Sequence, residues 1–198
     1  MTLGIPFKRF VREFGYDDPS VRVADIGCGP VDLLRYLSPD KRLAYYLGVD
    51  QSERYLAEAR ARAAAFGLPS TFEAMDLEHL TGSPELRERL RGLIDTHACT
   101  QAMLLGVLHH IGDDDAVATL ELLRQSPTVH RVFTWDVVIR PGRTMNNFLA
   151  RNDRGQHVRD EAGYGRVIAR TGWRIGRTFW THPGLSAIDY LHYELVRP

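Results

Sequence analysis

VRVADIGCGP (residues 21–30) and LAYYLGVDQS (residues 43–52) decide how this chain folds. The first reads as a hydrophobic strand that ends in an acid and a glycine turn, and the second as another strand that ends in Asp50. In an open α/β sheet a ligand sits beyond the carboxyl ends of the strands, where the chain order reverses, so both segments deliver their polar ends to one crevice. Gly27 and Gly29 permit a tight turn and let backbone amides approach a ligand with no Cβ in the way. Asp50, at the tip of the second strand, suits the diol of a ribose. Together the two segments outline a cradle for a nucleoside-bearing cofactor.

Outward from this pair, strands and helices alternate. The pattern predicts a short leading helix over residues 5–14 and a helix over 30–37 with proline near its first turn. It predicts another over 52–66, opened by Ser52 and stopped by Gly67. Strands follow at 70–77, 98–108 and 129–138, with helices at 83–91, 113–123 and 160–170 between and after them. Two last strands occupy 173–181 and 190–196. Such alternation argues for a mostly parallel sheet within a single domain spanning residues 1–198.

Composition narrows the function classes. A chain of 198 residues with 44% hydrophobic content buries a full core without staples. Lys plus Arg equals Asp plus Glu at 25 each, so no global field favours nucleic acid. Cys28 and Cys99 suit reduced thiols rather than a disulfide framework. No apolar run approaches membrane-spanning length and no secretory leader is evident, which leads to the expectation of a cytoplasmic protein.

The motifs resemble those of the class I S-adenosylmethionine (SAM) methyltransferases. Asp25-Ile-Gly-Cys-Gly29 is similar to that family's first motif and Gly48-Val-Asp50 to its second. Met75-Asp76-Leu77 stands where the family holds the adenine, and Leu105-Gly-Val-Leu-His-His-Ile111 resembles its fourth strand end. The resemblance implies a Rossmann-like, doubly wound α/β fold: a mostly parallel seven-stranded sheet, closed at one edge by an antiparallel last strand. It implies SAM as cofactor, held by Asp25, Gly27, Cys28, Gly29, Asp50, Gln51, Met75, Asp76, Leu77, Leu105 and Gly106. The chain departs from the family at Val31, where a third glycine is usual; a β-branched residue resists a positive φ and brings bulk toward the methionine end of the cofactor.

Dinucleotide binding is the rival reading of a Gly-x-Gly turn followed by an acid. There a third glycine normally falls where this chain has Asp32, whose carboxylate would repel a pyrophosphate at a helix N-terminus. SAM carries no phosphate.

Methyl transfer requires alignment of acceptor and methyl and, for a protonated nucleophile, removal of a proton. Histidine suits that task near neutral pH. His109 is the expected pocket residue and catalytic base by its place in the signature, with His110 the more structural of the two and a second contact to substrate. Asp136, at the end of the fifth strand, and His157 are further candidates for substrate binding. The residues offer no Cys-x-x-Cys pair or other metal-ligand spacing. The Asn/Asp-Pro-Pro-aromatic strand end of many nucleobase amine methyltransferases is absent, which favours oxygen or carbon acceptors.

Residues 139–159, IRPGRTMNNFLARNDRGQHVR, are long for a bare connection and carry five arginines against the single acid Asp153. A segment of this kind is usually functional. It reads as a lid with a short helix at 145–150, and Arg154 and Arg159 as groups that neutralise an anionic acceptor. Its Asp-Arg-Gly-x-x-Val-Arg pattern resembles that of a subgroup of small-molecule methyltransferases. Few residues precede the first motif, so the pocket is expected to be open, covered by this segment or completed by a second subunit in a homodimer. A SAM-binding protein without transferase activity and an RNA methyltransferase are the alternative readings.

Overall fold

The computed structural model describes residues 18–36, 43–153, 155–181 and 188–198. The expected leading helix over 5–14 lies outside them. Five strands run parallel: β1 (Arg22–Ile26), β2 (Tyr45–Asp50), β3 (Ser70–Ala74), β4 (Gln101–Leu105) and β5 (Arg131–Ile139). Two further strands follow, β7 (Arg174–Thr181) and β8 (Tyr190–Val196), giving the order β3-β2-β1-β4-β5-β8-β7. The last strand is antiparallel to both neighbours. It does not close the edge, as expected from the resemblance, but is inserted between β5 and β7, and β7 forms the edge. This order has the seven strands expected, and a two-residue strand β6 (Arg159–Asp160) outside it pairs with the end of β5 as an eighth.

Both faces of the sheet are covered, which is why its strands read as nearly continuous apolar runs. On one face Val23, Tyr46, Phe72, Met103 and Phe133 pack with Leu56, Ala59 and Ala63 of α1 (Glu53–Phe66). On the other, Ala24, Leu47, Leu104 and Val132 pack against α2 (Pro84–Thr96), α3 (Asp113–Gln125) and α5 (Glu161–Ala169). Neighbouring residues Val23 and Ala24 therefore belong to opposite cores, as the pleat of a strand requires.

Local chemistry sets the element ends. Ser52 Oγ accepts the Tyr55 amide and Gly67 stops α1 with φ 68°. Ser83 caps α2 with Pro84 in its first turn, and Asp160 caps α5 through the Gly163 amide at 2.7 Å. Gly106, with φ 78°, ends β4 short of the expected residue 108. The helix expected at 30–37 is only a 3-10 turn, Asp32–Tyr36. Val31 has φ 55°, so no right-handed helix can run through it.

After β5 the chain turns back as α4 (Thr144–Arg151). Asn146 holds it to the sheet end, donating to Val138 O at 2.8 Å and accepting from the Asp189 amide at 2.6 Å. No helix among the described residues is long and apolar enough to cross a membrane.

Candidate active site

The strand order reverses between β1 and β4, and a cleft of about 520 Å³ opens there beyond the strand ends. Its floor is the turn after β1. Gly27 and Cys28 both donate their amides to Val49 O, at 2.7 and 2.9 Å, tying the turn to β2. Gly27 has φ 76°, and a Cβ on it would overlap Val107 from the opposite wall. At Gly29 a Cβ would meet no described atom within 4 Å, so no described side chain covers this backbone.

Asp50 links the turn to the start of α1. One carboxylate oxygen accepts the Gly29 amide and the other the Ser52 amide, both at 2.8 Å. A carboxylate has about four acceptor sites, so each oxygen keeps a lone pair for a ligand diol. Gln51, Met75, Asp76, Leu77 and Gly106 line the same cleft. Asp76 also accepts the Glu78 amide at 2.9 Å, combining a turn cap with its place in the wall.

Asp25, Cys28 and Leu105 line instead an adjoining cavity of about 180 Å³ that shares Gly27 and Gly29 with the cleft. Asp25 is 3% exposed and accepts the Tyr46 hydroxyl. Its second oxygen has no hydrogen-bond partner among the described residues. Burial, only partly countered by Tyr46 and reinforced by Asp50, pushes its carboxyl up to about 7. Burial likewise raises the Cys28 thiol far above its ordinary value and Cys99 to about 12, so both free cysteines are inert packing groups.

The histidine pair stands opposite to expectation. His110 lines the cleft, whereas His109 is buried at 4% exposure and does not. The backbone amide and Nδ1 of His109 both bond Asp136 Oδ1, at 3.1 and 2.9 Å, and its Nε2 lies 3.1 Å from Asp153 Oδ2. With both ring nitrogens engaged, His109 has no free atom for a substrate. Burial lowers its pKa, but the two carboxylates outweigh burial and the net shift is upward. His110 is shifted downward, first by burial and then by His109 beside it, which favours the neutral ring.

Of the other substrate-binding candidates, Asp136 and Arg159 are engaged within the protein. Asp136 is 2% exposed and holds His109, so it lies beneath the cleft wall. His157 is exposed and contributes its backbone amide to His109 O at 2.9 Å. The Arg159 side chain is only 9% exposed and bonds Asp113 and the carbonyls of Leu108, Ile111 and His157. Arg140 and Arg143 pair with the buried Asp189 at 3.0 and 3.4 Å. Arg154 lies outside the described residues. Of the arginine-rich segment, Arg151 alone among the described arginines stands exposed with no acidic partner within ion-pair distance.

Sequence reading missed Ser52, Tyr55, Glu78, Val107 and Ile111, which complete the cleft. The helical spacing that marks Ser52 as a cap also places Tyr55 one turn on, so that pair carried a usable signal. The Tyr46 ring packs in the core, while its hydroxyl serves Asp25.

The sequence model of one protein family, described as a methyltransferase domain, matches residues 23–126. No curated protein matches the chain. Among solved structures it is similar to magnesium protoporphyrin IX methyltransferase from Synechocystis PCC 6803 with bound S-adenosylhomocysteine (SAH). The TM-score is 0.66 at 23% identity, over 98% of this chain and 81% of that one. It is similar to geranyl diphosphate C-methyltransferase from Streptomyces coelicolor A3(2) with TM-score 0.69 and 13% identity, over 96% and 78%. A SAM-dependent methyltransferase from Mesorhizobium loti gives 0.67 and 19%, covering 96% of both chains. At these identities the likeness is one of fold.

Proposed function

The chain belongs to the methyltransferase-domain family, and from that premise we propose that it transfers the methyl group of SAM to an oxygen or carbon of a small molecule, with His110 as the group that faces the acceptor. The cleft's chemistry fits the cofactor. Asp50 offers spare lone pairs to the ribose diol, and the unpartnered oxygen of Asp25 offers an acceptor to the methionine amino group. Met75 and Leu77 supply apolar surface for adenine. When bound, SAM supplies an electrophilic methyl group on a sulfonium.

The chain's own residues then align and deprotonate. His110 stands in the wall shared with Gly106 and Ile111. Its ring, held neutral by burial and by His109, accepts the acceptor's proton on a ring nitrogen. Because Arg140, Arg143 and Arg159 are bonded to protein groups, acceptor recognition rests on the shape of the cleft and on His110 more than on an arginine cluster.

The observation that carries this reading is the Asp50 bridge between the glycine turn and α1, beside the orphaned oxygen of Asp25. Its test is a mass-spectrometric screen of small hydroxylated and carbon acids incubated with SAM. The expected result is a product one methyl heavier together with SAH. His110→Ala is expected to lower turnover about a hundredfold with cofactor affinity kept. Cofactor binding without turnover on any acceptor would instead favour a SAM-binding, non-catalytic protein, the reading that the strained Val31 supports.

A further inference from the structure

The turn that carries His110 is held from two sides. From β5, one oxygen of Asp136 takes both the backbone amide and Nδ1 of His109. From the segment after α4, Asp153 meets Nε2 at 3.1 Å and the His157 amide bonds His109 O at 2.9 Å. Arg159 reaches across to the carbonyls of Leu108 and Ile111. Gly155 lies flat on this assembly: a Cβ there would overlap both the His109 ring and its carbonyl oxygen. Gly106, Val107, His110 and Ile111 of the same turn form one wall of the cleft.

We infer that His109 is a positioning residue, a carboxylate–imidazole–carboxylate latch that seats Asp153 and the strap of residues 155–159 on the β4 turn and so fixes His110 toward the reacting groups. This rests on the cleft being the site of methyl transfer. The latch needs the imidazolium form, because only a doubly protonated ring donates to Asp136 and Asp153 together. The groups facing it are Asp136 on β5, Asp153 on the strap and His110 in the same turn. Glu78 acts on His110 from across the cleft, and Tyr190 on β8 lies near Asp153. Both carboxylates favour the imidazolium, and the resulting upward shift keeps the latch closed toward neutral pH. On deprotonation one carboxylate loses its donor. Asp136 retains its bond to the His109 backbone amide, whereas Asp153, the more exposed acid, is held by the ring alone. The Asp153 end of the strap is therefore the side that loosens first, while Arg159 still holds the other end.

The test uses the whole protein without an acceptor. Ring-nitrogen NMR reads the charge on His109 across a pH series, and native-state hydrogen exchange reads the His157 amide, whose bond to His109 O exists only with the strap seated. In the wild type, His109 is expected to keep both ring protons, with the His157 amide protected, to a higher pH than an ordinary imidazole does. As pH rises through the His109 titration, charge and protection factor are expected to fall together. Asp153→Asn is expected to lower that protection at neutral pH by at least about tenfold with little change in the unfolding midpoint, since its side chain is partly exposed. Asp153→Glu restores much of it. Gly155→Ala lifts the strap sterically and is expected to lower protection at every pH. Protection that is unchanged in Asp153→Asn, or that persists in the wild type after His109 has lost its charge, would overturn the latch. Failure of SAH to bind at any pH would overturn the methyltransferase reading instead, while the exchange result would still decide the latch.

Discussion

Val31 holds φ at 55° at the position where the third glycine of the first motif would fall. A non-glycine residue in such a conformation costs about 1–3 kcal/mol. Its side chain, 1% exposed, packs with Leu33 and Leu34 and recovers about 1.5–3 kcal/mol by burial. Val31→Gly removes both contributions, which largely offset, so denaturant unfolding is expected to change by no more than about 2 kcal/mol. Cofactor affinity is expected to rise, because the side chain beside the Asp25 cavity is gone; weaker binding would show that Val31 supports the site. Asp25 gives a second residue-level prediction. Its folded pKa of about 7 lies above the ordinary value of 3.8. An acid raised in this way contributes most to stability below its unfolded pKa, and the contribution is lost as pH rises through the folded value. The wild type is therefore expected to lose stability between about pH 4 and pH 7, and Asp25→Asn to flatten that loss in denaturant midpoints measured across the window. Asp50, Gly27 and Gly29 were legible in the sequence because strand-end acids and glycine turns are local signals. The roles of His109 and His110 were not. Adjacent residues share every local signal, and what separates them is Asp136 and Asp153, 27 and 44 positions away.

Among the elements, the strap between α4 and α5 most clearly joins distant parts of the chain. Arg159 serves three backbone carbonyls and Asp113 from a nearly buried position. Arg159→Ala leaves at least the Leu108 and Ile111 carbonyls without this donor, each worth about 1–3 kcal/mol when buried and unpaired. A loss of at least about 1 kcal/mol in chemical denaturation is expected after partial rehydration, together with faster amide exchange in the β4 turn. Unchanged stability and exchange would mean that Arg159 is replaceable by water. The length and arginine bias of residues 139–159 marked the segment as unusual, but as a lid drawing anions from solvent. Arg140, Arg143 and Arg159 instead meet Asp189, Asp113 and main-chain oxygens, partners that no local pattern reveals. The strand succession was legible from apolar runs and caps. The insertion of β8 between β5 and β7 was not, because strand order is set by packing across the whole sheet.

At the scale of the molecule, two cores clamp the sheet and leave its carboxyl ends free at the reversal between β1 and β4. The site therefore sits on a rigid frame, with one wall fixed by the strand ends and the other carried by the β4 turn and its strap. Net charge is zero, and much of the arginine-rich segment is neutralised internally, so the whole-molecule field gives no reason to expect a polyanionic partner. What remains is a neutral protein with a nucleoside-sized cleft. The most direct measurement is calorimetric titration of the wild type and Asp50→Ala with SAH, with NAD as a control. The expected result is saturable SAH binding by the wild type, weakened at least about tenfold in Asp50→Ala by loss of the charged acceptor, and no binding of NAD. Binding of NAD in preference to SAH, or SAH binding indifferent to Asp50, would contradict the assignment of this cleft.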